Sequence, residues 1–542
     1  MSHIQLVGLA ETKPLDGKLW KLPFAFPIII SQLQKTTHTF DHLDTYLNRL
    51  TLEELSSKLQ KSDSRIFGIS AWSHNYLHVK QLSADIRKAH KDAIIIVGGI
   101  ISGNDQVLLE KTDVDIVSTC PEGESVLPDL LDELGRPHPD LRSVNGISFK
   151  DNKTGTIVRT ESHKIMNQIE FQNQEFPAYE YFDEELKEIA YNLNSCTDHP
   201  VQAFPILTSR GCPFHCTFCG HLYGHRMLRK KWETLLDEFD FLINRYGFTG
   251  FYAYDTNMFL NAKDIEEYCQ LYDERGMNFK LIGSLRLSFG SYDLYKKLAD
   301  HGVAVGLFGL ETGSQDMLKR MKKNLNHQEA RQRLKAAIDA GITMHGNFIF
   351  GTPGENVRTI AETRSFMLFI EDLIEKQKRD FKKQGKMNTS GYGWTILIPS
   401  PSSELYHEAM GEKLITDEDE YLTSLSDEKF QRLLTGSSSK IALAQEAGNL
   451  NMSEFTSRRA LAHYIKFNWH YVKVLAALRH RQRLFSNPKA VLNSAGIAAK
   501  NYVAYLFHTA VDTLKGRKGY VPRDKRGLPP LIPEPGMTSR RG

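Results

Sequence analysis

At 542 residues, with 68 Lys and Arg against 65 Asp and Glu, the chain is long enough for three or four domains. Its charge is too even for composition to nominate nucleic acid or an acidic membrane as a partner. The opening MSHIQLVGLAETKPLDG lacks the basic and long apolar parts of a secretory signal. The longest apolar runs, FAFPIII and AIIIVGGII, fall far short of the roughly 20 residues that span a bilayer.

In chain order, IQLVGL (4–9), RIFGIS (65–70), AIIIVGG (93–99) and VDIVST (114–119) are short apolar runs separated by helical patterns such as HVKQLSADIRKAHK. The alternation predicts an α/β unit, a Rossmann-like open parallel sheet over residues 1–140. RSVNGISFKDNKTGTIVRTES then reads as a hairpin turning at Asp151–Gly155, inside a connector over 141–200. A second series follows: FPILTSR (204–210), GFYAYD (250–255), KLIGSLR (280–286), AVGLFGLE (304–311), MHGNFIFG (344–351) and YGWTILIP (392–399). Six βα units predict a complete or partial barrel over 201–410. The charged stretch 371–390 reads as a solvated helix end and loop, 411–515 as a helical domain, and 516–542 as a disordered tail. The tail's basic residues read as solvated rather than as a nucleic-acid contact.

Six cysteines in a chain this long are no disulfide framework, and reduced thiols in the cytoplasm are the expectation. Three of them, Cys212, Cys216 and Cys219, fall in SRGCPFHCTFCG directly after a predicted strand, where a barrel gathers its functional groups. Thiolates suit iron–sulfur clusters or zinc. Zinc needs a fourth ligand, for which His215, His221 and His225 are candidates. A cubane held by three cysteines instead leaves one iron open to an exchangeable ligand. Cys120, Cys196 and Cys269 default to inert buried thiols, Cys196 being the one to test for a substrate-side role.

The C-x3-C-x2-C spacing, with Phe218 just before the last cysteine, resembles the signature of radical SAM enzymes. The resemblance implies a 4Fe-4S cluster whose open iron chelates S-adenosylmethionine, and reductive cleavage to a 5′-deoxyadenosyl radical. It also implies a low-potential electron donor of the flavodoxin or ferredoxin type. LFGLETGS (307–314) is similar to the family's fourth-strand element and makes Glu311 a cosubstrate contact. GNFIFGTPGE (346–355) resembles the fifth-strand glycine element and points to Gly351 and Gly354. LIPSPSSELY (397–406) is similar to the closing element, and Arg286 sits where the family often has a polar contact. The alternative readings are a helix cap for Glu311, an ion-pair partner for Arg286 and an ordinary turn for GTPGE.

The first sheet lacks a G-x-G-x-x-G after its first strand, which argues against a dinucleotide site. Its strand ends instead resemble the cobalamin-binding domain that precedes the barrel in one radical SAM class. PEGE (121–124) stands where that class has G-E-G-E. The implied cobalamin contacts are Ser70, Trp72, Ser73, His74, Gly98, Gly99, Glu122, Gly123 and Glu124, with the nucleotide tail among Ser70, Gly98, Gly99 and the Pro121–Glu124 loop. D-x-H-x-x-G, which supplies a cobalt-ligating histidine in many such domains, is absent from the sequence. His74 is the nearby candidate, and a hydrogen-bonded loop histidine is its ordinary reading. Trp72 packs either on the corrin or in the core.

Together these imply a cobalamin-dependent radical SAM methyltransferase acting on a carbon, or phosphorus, centre of a small molecule through methylcobalamin. Cyclisation or rearrangement without methyl transfer, and a cobalamin or redox sensor, are the alternatives. Neither a membrane nor a nucleic acid is expected as partner. In the C-terminal helices Trp469, Tyr471 and the bases at Arg479–Arg483 read as core and helix-end charges, or as a cap over the barrel mouth.

Overall fold

The computed structural model describes residues 2–9, 14, 16–151, 153–193, 201, 203–220, 222–426, 450–480 and 487–519. Cys196, His221, Arg481, Arg483 and the tail from 520 onward lie outside these.

The first sheet has seven strands: β1 (His3–Gly8), β2 (Thr39–Asp44), β3 (Ile66–Ser70), β4 (Ile94–Gly98), β5 (Ile116–Ser118), β6 (Ile147–Lys150) and β7 (Ile157–Arg159), in the order β2-β1-β3-β4-β5-β6-β7. The first five in that order run parallel. Helices cover both faces, so β1, β3 and β4 are nearly continuous apolar runs rather than alternating ones. Two features depart from the sequence expectation. Strand β2 was not anticipated, because TFDHLD is a polar edge strand with only Phe40 and Leu43 apolar. The hairpin expected in a connector is β6–β7, and β6 pairs antiparallel with β5, so the sheet extends past residue 140 to Arg159.

The second sheet is all parallel: β8 (Phe204–Ile206), β11 (Gly250–Ala253), β12 (Lys280–Ser284), β13 (Val303–Glu311), β14 (Thr343–Phe350) and β15 (Gly391–Ile396), each beside its successor. β8 and β15 do not pair, so this is a partial six-stranded barrel. Between β8 and β11 a short antiparallel ribbon, β9 (Ser209–Gly211) with β10 (Met227–Arg229), frames the cysteine loop. Alternation along the strands sorts the side chains. Val201, Ile282 and Val305 form a small inner cluster, while Phe251, Leu281, Phe348 and Trp394 join the core under the outer helices.

The charged stretch expected to end a helix instead lies largely inside one, Val357–Lys383, because Ile374, Gln377 and Phe381 keep a buried face through it. Helix Arg458–Arg479 packs beside that helix, with Trp469 5.0 Å from Tyr392 and 6.4 Å from Trp394. Its aromatics therefore flank the outer wall of the barrel at β15, where a partly buried Trp469 packs against the core rather than over the mouth. Arg479 pairs with Asp372 on the same wall.

Polar contacts join the helices of the first sheet to those that follow β15. Tyr76 donates to Asp419, Lys80 pairs with Asp419 at 3.1 Å, and Asn104 donates to Tyr406 Oη at 3.2 Å. No helix among the described residues is long and apolar enough to cross a membrane.

Candidate functional site

The cysteine loop leaves β9 at Gly211, whose φ of 82° turns the chain out of the strand. Two backbone bonds hold the loop: Thr217 N–H donates to Met321 O at 3.1 Å, and Leu405 N–H to Thr217 O at 3.0 Å. The segment after β13 and the closing element after β15 thus both clamp it. Cys216 is buried, Cys212 intermediate and Cys219 exposed at the mouth. Desolvation raises the Cys219 thiol to about 12; Cys216, Glu311 and Cys212 add to this and Lys323 opposes it. These five groups therefore share one neighbourhood.

Glu311 ends β13 at a register shift, with φ of 53°. A non-glycine residue there costs on the order of 1–3 kcal/mol, and such strain collects at functional sites. Its buried carboxylate pairs with Lys323 at 2.5 Å, and Lys323 Nζ stands 5.9 Å from the Phe218 ring centre. Gly309 makes the room: a Cβ there would lie 2.5 Å from Glu311 Oε1. Arg286 stacks on Phe214, within the cysteine loop, at 3.5 Å and donates to Lys323 O, while its buried Nε has no protein partner. The geometry thus brings Phe218, Arg286 and Glu311 to the cysteines.

Gly351 and Gly354 follow β14 with φ of 86° and 81°. Gly351 N–H donates to Glu355, a fully buried carboxyl with its other oxygen unpartnered. Burial pushes Glu355 up to about 8, the Gly351 N–H opposing. Glu355 therefore binds its proton more tightly folded than unfolded. The stability this contributes is complete below the ordinary value of 4.5 and is lost as pH rises through about 8. Glu355→Gln keeps the acceptor and should flatten that alkaline decline, read as thermal midpoint against pH; an unchanged slope would show that Glu355 ionises freely.

A cavity of about 380 Å³ lies between the two sheets. Ser70, Gly98, Gly99, Pro121, Gly123 and Glu124 line it from the carboxyl ends of β3, β4 and β5; Arg210, Gly211, Tyr254 and Asp255 line it from the barrel mouth. Its walls also include Leu6, Ile29, Ile96, Val126 and Leu127. Gly99 has φ of 90°, and a Cβ would stand 2.5 Å from Ala71 O.

Residues 206–367 match the Radical SAM superfamily. The chain carries a radical SAM domain over those residues. Among curated proteins, this radical SAM protein is 22% identical over 393 residues to an uncharacterized methyltransferase of Pyrococcus horikoshii, covering 71% of this chain and 78% of that one. It is 29% identical over 187 residues to cytidylyl-2-hydroxyethylphosphonate methyltransferase of Streptomyces wedmorensis, covering 33% of this chain and 34% of that one. Its fold is that of the cobalamin-dependent S-adenosylmethionine radical enzyme OxsB, solved with aqua-cobalamin and S-adenosylmethionine bound. The TM-score is 0.63 at 17% identity, over 95% of this chain and 80% of that one.

The residues of this radical SAM protein fit the groups that fold implies. Among the described residues no three His, Cys, Asp or Glu side chains converge as a single metal ion would require. His215 stacks on His225 at 3.5 Å, and His225 Nδ1 meets Phe214 O at 3.1 Å. A cubane cluster takes one thiolate at each of three separate irons, which three cysteines in one loop can supply. On the cobalamin side, Ser118 Oγ is buried at the cavity wall without a protein partner, a polar atom that a ligand would satisfy.

Four of the expected cobalamin contacts do not line the cavity. After Ser70 the chain turns into a 3-10 helix at Ser73–Asn75, its start fixed by the Trp72 N–H donating to Asn75 Oδ1 at 2.9 Å, and this carries Trp72, Ser73 and His74 aside. Trp72 is 47% exposed, which excludes the core reading. Glu122 is fully buried beneath the loop, accepting from Met166 N–H at 2.9 Å.

The sequence reading missed Arg210, Asp255, Lys323 and Glu355. Arg210 of β9 donates to Glu124 and lies 3.8 Å from Glu122, all three buried, so the PEGE loop grips the barrel. Asp255 accepts from the N–H groups of Thr208 and Ser209 at 3.1 and 2.9 Å, setting the strand that leads into the cysteines. Cys120 borders the cavity with a thiol that burial raises, and Cys269 is buried in a helix with a thiol raised to about 12. Both read as inert.

Proposed function

We propose that this protein is a cobalamin-dependent radical SAM methyltransferase that methylates an unactivated carbon, or phosphorus, centre of a small molecule. The observation that carries the reading is the cavity shared by the carboxyl ends of the first sheet and the barrel mouth, since methyl transfer needs both reactive centres on one substrate. Methyltransferases stand among the curated relatives, and so do anaerobic magnesium-protoporphyrin IX monomethyl ester cyclases; the methyltransferase names support transfer as the leading reading, with cyclisation as the alternative.

Cys212, Cys216 and Cys219 would hold the 4Fe-4S cluster. Phe218, Arg286, Glu311, Gly351 and Gly354 would bind S-adenosylmethionine, with Glu311 accepting from its amino group and Lys323 fixing the Glu311 carboxylate. Ser70, Gly98, Gly99, Gly123 and Glu124 would seat cobalamin, the apolar wall taking its planar tail, while Trp72, Ser73, His74 and Glu122 support the loops around it. When bound, these groups supply hydrogen-atom abstraction and methyl donation at unactivated centres. The chain's work is to orient substrate between them, keep water out of the cavity and hold the cluster low in potential for an external donor.

Gly98 gives a direct test. A Cβ there meets only Ser118, at 3.8 Å, so Gly98→Ala fits the protein while projecting beside the cavity. Crowding by one methyl costs about 1–3 kcal/mol, so cobalamin affinity should fall by roughly tenfold or more. Thermal midpoint and iron content should not move. Unchanged cobalamin binding would place the cofactor elsewhere.

A further inference from the structure

Helix Pro488–Leu514 is apolar on two sides. One side packs on helix Arg458–Arg479, with Tyr502 4.8 Å from Phe467 and Tyr505 4.8 Å from Tyr464. The other side carries Leu492, Val503, Leu506, Phe507 and Leu514, exposed by 73, 65, 50, 63 and 88%. Gly496, Ala499 and Ala510 continue the stripe at helical spacing, and nothing among the described residues covers it. A stripe this long on one helix marks an interaction surface rather than scattered exposed residues.

Charge identifies the partner. From Asn487 to Lys518 the cations are Lys489, Lys500, Lys515, Arg517 and Lys518, and the single acid, Asp512, is buried and bonded to Arg517 at 3.1 Å. Over 458–542 the sequence holds seventeen Lys and Arg against three Asp and Glu, whereas the whole chain carries only +3. A second copy of so basic a face would meet its own charge, while an anionic surface would complement it. The helix is also too polar to cross a bilayer. Apolar residues on one face with cations at the flanks and end are the pattern of a helix lying in a lipid headgroup layer.

We infer that Pro488–Leu514 docks the protein on the surface of an anionic lipid bilayer, Leu492, Val503, Leu506 and Phe507 entering the headgroup boundary while the lysines and arginines face lipid phosphates. The contact is peripheral, distinct from a membrane-spanning helix, of which there is none among the described residues.

Co-sedimentation of the full chain with vesicles tests this, using phosphatidylcholine alone and phosphatidylcholine with about one-third phosphatidylglycerol. The protein should pellet with the anionic vesicles at low salt and remain in the supernatant with the neutral ones. Raising the salt should weaken binding about tenfold. The double variant V503D/F507D should lose binding by at least about tenfold, with thermal midpoint and iron content unchanged because both positions are exposed. Failure to pellet with anionic vesicles at low salt would overturn the inference. So would a stable dimer in analytical ultracentrifugation that V503D/F507D dissociates, which would assign the face to a second copy.

Discussion

The Cys216→Ser variant should purify folded, with iron and sulfide at background, and should leave S-adenosylmethionine intact under strong reductant. The loop around Cys216 is fixed by backbone bonds from Thr217 and to it from Leu405, so the substitution removes a ligand without removing the scaffold. Three thiolates holding one cluster act as a unit, so the single variant should be as inactive as one lacking all three. Cys269→Ser supplies the contrast. That thiol is buried on the helix Ala262–Glu274, away from the loop, and its loss should leave iron content and cleavage untouched. Cluster retention in Cys216→Ser, at the level of the parent, would remove Cys216 from the ligand set.

Breaking the buried bridge between the sheets should instead cost stability. Arg210 is 7% exposed and lies against Glu124 and Glu122, both buried. Burial opposes the Arg210 charge, but Glu124, Tyr223 and Glu122 outweigh it and raise its pKa. Burial likewise raises Glu122. Arg210→Met leaves two carboxylates in the interior without their cation, which costs about 3–5 kcal/mol. In urea unfolding followed by far-UV circular dichroism, the midpoint should drop accordingly. The triple variant R210M/E122Q/E124Q should recover most of the loss, since no unpaired charge is left behind. A single variant as stable as the parent would mean that the bridge is solvated and does not hold the domains together.

The contrast between these two sites explains what was legible from sequence. The proposed cluster ligands lie within eight positions, and their spacing carries the resemblance directly. The parallel runs of both sheets are equally local, so their order along the chain came through. Arg210 and Glu124 are 86 positions apart, and their pairing does not show until β9 is laid against the PEGE loop. Lys323 reads as one more surface lysine until Gly309 opens the space in which it meets Glu311. Strand β2 lacked an apolar pattern because it forms an edge. The resemblance makes Trp72 a cobalamin contact, but the bond from its N–H to Asn75 turns the chain away from the cavity, a local turn that the motif does not specify.

The most direct test is anaerobic reconstitution with iron, sulfide and hydroxocobalamin, followed by mass spectrometry of S-adenosylmethionine turnover under reductant. The account predicts one bound cobalamin per chain and formation of both 5′-deoxyadenosine and S-adenosylhomocysteine, the second marking methyl transfer. Deoxyadenosine without S-adenosylhomocysteine in the presence of turned-over substrate would contradict methyl transfer in favour of cyclisation or rearrangement. A protein that bound zinc and left S-adenosylmethionine untouched would contradict the account altogether.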